Sequence, residues 1–296
     1  MWSSSSGSLL LTLTGHSDYV YSVAWKPNGD QIATASADYT ARIWSRYTGL
    51  EIRMFTGHIG PVHSVAWSPD GTKIVTASND NTARVWSSTS GSTLLTLTGH
   101  TAGVVSASWS PDGMRIATAS YDLTARVWDA GSDRTLLTLT GHENYLYAAE
   151  WSPDGQKIAT ASDDRTARVW SSISGRLLTT LSGHSDFVRS CAWSPDGTRI
   201  VTASNDATVR VWNSVSGSAL LTLSGHGSQA VRYVAWCCVQ PGQLLAATPP
   251  SNPPPISPAS PVSETDAKPA SEPDVRLCVR LSFALMLEIT TGFAFC

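Results

Sequence analysis

The sequence predicts an all-β chain built from repeated four-stranded antiparallel sheets. Three observations carry that prediction: Gly-His recurs every 42 residues, tryptophan recurs twice in the same period, and each period divides into four short strand-like runs separated by turns. The Gly-His pairs end at His16, His58, His100, His142, His184 and His226. One tryptophan series is Trp2, Trp44, Trp86, Trp128, Trp170 and Trp212; the other is Trp25, Trp67, Trp109, Trp151 and Trp193, with Trp236 one residue late. A unit of this size cannot bury its own faces, so the period marks stacked supersecondary units rather than separate domains.

The elements follow in order within each unit. In the second, Val62 to Trp67 reads as a strand, Ser68-Pro69-Asp70-Gly71 as a tight turn, and Lys73 to Ala77, Ala83 to Trp86 and Leu94 to Leu97 as three further strands. Ile74-Val75-Thr76-Ala77 is short and apolar, as a strand covered on both faces should be, and its alanine permits close approach of neighbouring sheets. Closing such sheets into a ring hides both faces and most edges.

Composition narrows the function classes. The chain has 296 residues, 42% hydrophobic and 15% charged, with Lys+Arg 20 against Asp+Glu 23, so little net charge draws it toward nucleic acid or an anionic membrane. Cys191, Cys237, Cys238, Cys278 and Cys296 form no CxxC pair or regular disulfide framework, which points to a reducing compartment: the cytoplasm, with the nucleus as the alternative. The opening MWSSSSGSLLLTLTG lacks the basic region of a secretory signal, and Arg280 and Glu288 interrupt the apolar C-terminal stretch, so no membrane span is expected.

The Gly-His pair, the Ser-x-Asp-x-Thr-x-x-x-Trp run and the period together resemble the WD40-repeat β-propeller family over residues 9 to 247. The near-identical units are most similar to the repeat arrays of large fungal and bacterial multidomain proteins, which leaves open that the chain is part of a larger receptor-like protein. The resemblance implies a buried hydrogen-bond network in each blade, joining His16, Asp38 and Trp44 through a hydroxyl at Thr34 or Ser36. It implies the same for His58, Asp80 and Trp86; His100, Asp122 and Trp128; His142, Asp164 and Trp170; and His184, Asp206 and Trp212. Two departures stand out: only Trp128-Asp129 keeps the Trp-Asp dipeptide, and no Asp-x-Thr-x-x-x-Trp follows His226.

The expected organisation is a propeller over residues 1–248, with repeats starting near 15, 57, 99, 141 and 183 and a partial one near 225. A proline- and serine-rich linker over 249–274 and an apolar tail over 275–296 follow. Five blades are complete and a sixth is incomplete; Leu9 to Thr14, the fourth strand of a preceding blade, is expected to close the ring with Val231 to Trp236 and Leu244 to Thr248. The missing third strand leaves the tail three readings: a strand over Val275 to Leu281 that fills the gap, a partner-binding segment, or a non-native extension.

Chemistry is sparse. Six histidines share one repeat position on different blades, which is not ligand spacing, so no metal or cofactor is expected. Ser, His and Asp recur in every unit rather than converging once, so no catalytic residue is assigned; Glu150, where other units carry Ala or Ser, is a lone odd acid. His63 stands outside the network position. Arg42, Arg84, Arg126, Arg168 and Arg210 form a ring that nearby carboxylates can neutralise.

Variation between units is the better probe of function. Three positions vary: three residues after the Gly-His histidine (Tyr19, Pro61, Gly103, Tyr145, Phe187, Gln229), five after it (Tyr21, His63, Val105, Tyr147, Arg189), and just before the network aspartate (Ala37, Asn79, Tyr121, Asp163, Asn205). In the family, similar positions rim the central opening and contact partners. The expected partner-binding face is therefore Tyr19, Tyr21, His63, Asn79, Tyr121, Tyr145, Tyr147, Asp163, Phe187, Arg189 and Asn205, a mixture suited to partly desolvated protein contacts. The function expected is a non-enzymatic protein- or peptide-binding scaffold. The alternative is an adaptor or structural subunit of a constitutive complex, similar to ubiquitin-ligase receptors, and a propeller enzyme is a remote third.

Overall fold

A computed structural model describes residues 1, 6–225, 229–237 and 276–280, the last segment and residue 237 by backbone alone. Blade 1 holds β1 (Val20–Trp25), β2 (Gln31–Ser36), β3 (Ala41–Ser45) and β4 (Glu51–Phe55), and blade 2 holds β5 (Val62–Trp67), β6 (Lys73–Ser78), β7 (Ala83–Ser87) and β8 (Thr93–Leu97). Blade 3 follows with β9 (Val104–Trp109), β10 (Arg115–Ser120), β11 (Ala125–Asp129) and β12 (Thr135–Leu139), and blade 4 with β13 (Leu146–Trp151), β14 (Lys157–Ser162), β15 (Thr166–Ser171) and β16 (Leu177–Ser182). Blade 5 comprises β17 (Val188–Trp193), β18 (Arg199–Ser204), β19 (Val209–Asn213) and β20 (Ala219–Leu223); β21 (Tyr233–Cys237) and β22 (Arg276–Arg280) make a two-stranded sheet. Each blade is an antiparallel meander in sequence order, as expected of an all-β chain.

The turns explain the meander. Ser68 Oγ donates to Asp70 Oδ1 at 2.5 Å, Gly71 N–H returns to Ser68 O at 2.8 Å, and Gly71 takes φ +67°, so β5 reverses directly into β6.

The core lies between blades. Each hydrophobic cluster joins one sheet to the next, as where Ala33, Ala35, Ile43 and Phe55 of blade 1 meet Val62, Val65, Trp67 and Trp86 of blade 2. Indoles reinforce the joint: Trp67 Nε1 donates to Ala24 O at 3.2 Å, Trp109 Nε1 to Ala66 O at 3.3 Å and Trp193 Nε1 to Glu150 O at 3.1 Å. At the joint between blades 3 and 4 the pattern changes. Ser108 Oγ donates to Ala149 O at 2.6 Å, and the Trp151 indole nitrogen is buried without a partner.

The two ends depart from expectation. Among the described residues no strand spans Leu9 to Thr14, only a bridge at Leu9, and no pairing joins that segment to β21, so the described residues do not show the expected ring closure. The segment nevertheless lies where a preceding blade's outer strand would. A carbon added at Gly49 would meet Leu13 Cδ2 at 3.6 Å and Leu11 Cδ2 at 3.7 Å, as one at Gly175 would meet Leu139 Cδ2 at 3.5 Å and Leu137 Cδ2 at 3.6 Å. Among the described residues no neighbouring strand gives its backbone a ladder. At the other end, β22 pairs with β21 with Trp236 opposite Leu277, just as Trp193 faces Ile200 in blade 5. The returning segment therefore takes the second strand's place rather than the third. Trp2, His226, Cys238, Leu244 to Thr248, the linker over 249–274 and the rest of the tail lie outside the described residues.

Candidate recognition face

Each blade carries one buried relay. In blade 2 the Trp86 indole donates to Thr76 Oγ1 at 2.8 Å, Thr76 Oγ1 lies 2.8 Å from His58 Nε2, and His58 Nδ1 lies 2.7 Å from Asp80 Oδ2. The same contacts link Trp44, Thr34, His16 and Asp38; Trp128, Thr118, His100 and Asp122; Trp170, Thr160, His142 and Asp164; and Trp212, Thr202, His184 and Asp206. Of the two hydroxyls considered for blade 1, Thr34 enters the relay; Ser36 Oγ instead donates to Asp18 O and accepts from Asp38 N.

A second hydroxyl escaped the sequence reading. Thr82 Oγ1 donates to Asp80 Oδ1 at 2.7 Å and Thr82 N–H to the same oxygen at 3.0 Å; the threonine two residues beyond each network aspartate was its signal. Burial pushes the Asp80 carboxyl up, but hydrogen bonds from His58 and Thr82 outweigh it and hold the group well below the carboxylate range. Asp206 falls to about 2, with Thr208 and His184 outweighing burial in the same way. For His142 and His184 burial wins over the paired aspartate and lowers the imidazole pKa. The turn between the aspartate and the threonine holds Tyr39, Asn81, Leu123, Arg165 and Ala207 at φ between +63° and +70°.

The arginine ring is occupied. A carbon added at Gly57 would meet Arg84 Nη1 at 3.0 Å, and the Arg84 guanidinium lies 5.8 Å over the Trp86 ring, so the Gly-His glycine leaves room for a packed arginine. Arg42 reaches Glu51 Oε2 at 2.6 Å and Arg168 lies 3.8 Å from Asp164.

The three variable positions meet in every blade. The position five after the histidine is a β-bulge: the ladder skips Tyr21 between Val20 and Ser22, His63 between Val62 and Ser64, Val105 between Val104 and Ser106, Tyr147 between Leu146 and Ala148, and Arg189 between Val188 and Ser190. A bulge frees its residue from the inward and outward alternation and re-aims it. The other two positions are tied by their backbones: Ala37 N–H donates to Tyr19 O, Asn79 to Pro61, Tyr121 to Gly103, Asp163 to Tyr145 and Asn205 to Phe187, at 2.8 to 2.9 Å.

Side chains then group across blades. Tyr21 stacks on His63 at 5.0 Å, and burial lowers the His63 pKa, keeping it neutral at pH 7. Tyr121 packs against Tyr145 at 5.1 Å and Tyr147 at 5.5 Å. The Arg189 guanidinium lies 4.1 Å over the Tyr147 ring and 5.1 Å over Phe187; its Nη1 is 3.1 Å from Asp163 Oδ1 and its Nε donates to Asn205 Oδ1 at 3.2 Å. Asn79 and Tyr121 both crowd Gly103, linking the two groups, whereas Tyr19 stands apart, 73% exposed.

Glu150 does not join this face. It sits on β13 with no hydrogen bond to its carboxyl among the described contacts, and burial raises its pKa to about 7; its charge in turn helps push the buried Cys191 thiol up. Among the described residues no group of three or more His, Cys, Asp or Glu is arranged to hold a metal ion, and no helix is long and apolar enough to cross a membrane. The family model described as WD domain, G-beta repeat matches residues 7–45, 49–87, 91–129, 133–171 and 175–213. No curated protein matches the chain.

Proposed function

The chain belongs to the WD40-repeat family, and from that membership we propose that it is a non-enzymatic scaffold binding a protein or peptide on the bulge-bearing face. The observation that carries the reading is the bulge: Tyr21, His63, Val105, Tyr147 and Arg189, which differ between units, stand at the same place on the first strand of each blade. Aromatic rings interleaved with Arg189, Asp163 and Asn205 supply rigid contact area beside directional polar groups, the composition of protein-binding hot spots. The His and Asp of each unit are engaged in the relay, and the Ser two residues before the Asp bonds backbone, which argues against catalysis at those residues. The arginine ring, packed on tryptophan, argues against a nucleic-acid partner. Residence in the cytoplasm or nucleus is part of the same reading, supported by a free buried thiol at Cys191.

The test is a selection of peptides from a displayed random library on the wild-type protein. A variant carrying Tyr19→Ala, Tyr145→Ala, Phe187→Ala and Arg189→Ala, with an unchanged melting transition, should lose the selected peptides at least tenfold. Undiminished binding would place recognition elsewhere.

A further inference from the structure

Arg189 is held as a bound ligand would be. Its guanidinium lies between the Tyr147 and Phe187 rings, faces the Asp163 carboxylate at 3.1 Å and gives its Nε–H to Asn205, while Tyr121 backs Tyr147. Nothing in the blade architecture requires this. The same bulge position carries Tyr21, His63, Val105 and Tyr147 in the other blades, and the position of Asp163 carries Ala37, Asn79, Tyr121 and Asn205. The arginine and its acid occur together only at the joint of blades 4 and 5.

The acid is also incompletely paired. The Asp163 side chain is only 7% exposed; Tyr147 and Arg189 both act on the carboxylate, yet its Oδ1 accepts no hydrogen bond of good geometry among the described residues, so that oxygen is neutralised without being saturated. The surroundings decide the sign of a ligand. Asp186 and Asp164 lie close enough to act on Asp163, Glu143 occupies the loop after His142, the one guanidinium in the cage is already neutralised and Arg165 is the exposed cation of the adjoining turn, so the acids outnumber it and favour a cation over an anion. Two rings and a carboxylate favour a planar, stacking, forked cation over a point-like ammonium.

We propose, resting on the recognition-face reading above, that the Tyr147, Phe187 and Asp163 cage is an arginine-recognition subsite, and that Arg189 is its resident occupant, displaced by a guanidinium from a partner peptide. A resident occupant lowers the apparent affinity by the fraction of time the cage stands open, so removing it should strengthen binding.

The experiment is isothermal titration of the full chain with Nα-acetyl-arginine methylamide, and with the citrulline analogue as its neutral isostere. Arg189→Val is the variant of choice, because blade 3 carries Val105 at that position. It should bind the arginine probe at least tenfold more tightly than wild type, adding Asp163→Asn should abolish the gain, and citrulline should not bind. Equal affinity of R189V and wild type, or equal binding of citrulline, would overturn the proposal. Should R189V fail to fold, the Arg189 Nε–H resonance of the wild-type protein must move on saturation with triarginine, and an unmoved resonance would equally overturn it. If the alanine variant of the face loses selected peptides while R189V gains no arginine affinity, the face stands and the subsite falls.

Discussion

The backbone N–H of Asp163 donates to the carbonyl of Tyr145 at 2.9 Å, so two positions whose side chains differ from blade to blade are locked together by atoms that every residue carries. The same bond recurs in the other four blades between unlike pairs, from Ala37 and Tyr19 to Asn205 and Phe187. Below it runs the relay, whose residues repeat unchanged. Variable side chains thus stand on an invariant support, and the two layers make separate predictions.

Asp80→Ala should lower stability by about 3 kcal/mol, because it strands the His58 Nδ1, the Ile59 and Thr82 amides and the Thr82 hydroxyl together. A denaturant midpoint equal to wild type would contradict the relay's structural role. Acid titration should show the same dependence. The network carboxyls lie below their unfolded values, so their contribution is present above about pH 4 and is lost as the pH falls through the folded values.

Glu150→Ala should act with the opposite slope. The folded pKa of Glu150 is raised from 4.5 to about 7, so the wild type loses stability as the pH rises across that interval, while a variant lacking the carboxyl does not. Its advantage over wild type should grow from pH 4.5 to 7 and reach on the order of 3 kcal/mol. Ala24, Ala66 and Ala192 already occupy the equivalent place. A pH-independent difference in melting temperature would contradict the burial of this group.

Leu123→Asn should stabilise the chain by about 0.5 to 1 kcal/mol. Leu123 holds φ +70°, a left-handed conformation that its side chain resists, whereas blade 2 places Asn81 there at φ +68°. Differential scanning calorimetry at fixed pH measures the shift, and a lowered melting temperature would show that the leucine gains more from packing than it loses to strain.

Trp25→Ala should cost less than about 1 kcal/mol, whereas Trp67→Ala should cost about 3 to 5 kcal/mol. Trp67 is 7% exposed and bonded to the preceding blade, while Trp25 is 51% exposed with no blade before it among the described residues. Equal losses in urea titration would mean that the first blade is covered in solution.

Much of the blade was legible because its punctuation is chemical. Trp67 and the Ser68 to Gly71 turn bound β5 as expected, and β6 and β7 each run only one residue past the anticipated Ala77 and Trp86. The relay histidines and aspartates are those that the resemblance to the family implies. The bulge was not legible, because an extra residue on one strand changes neither the period nor the composition; only the partner strand shows that His63 has no opposite number. Glu150 was visible as an odd acid, but its burial depends on the neighbouring blade. Leu9 to Thr14 has the sequence of an outer strand and its place beside Gly49 matches, but among the described residues no strand pairs with it.

The bulge has a consequence for how such a protein can change. Because the skipped residue exchanges no ladder bond with the next strand, its identity is nearly decoupled from the blade that carries it, and Tyr, His, Val, Tyr and Arg are all accommodated there. One substitution per blade at that place can therefore change the side chains that group on this face without breaking a ladder bond of the blade.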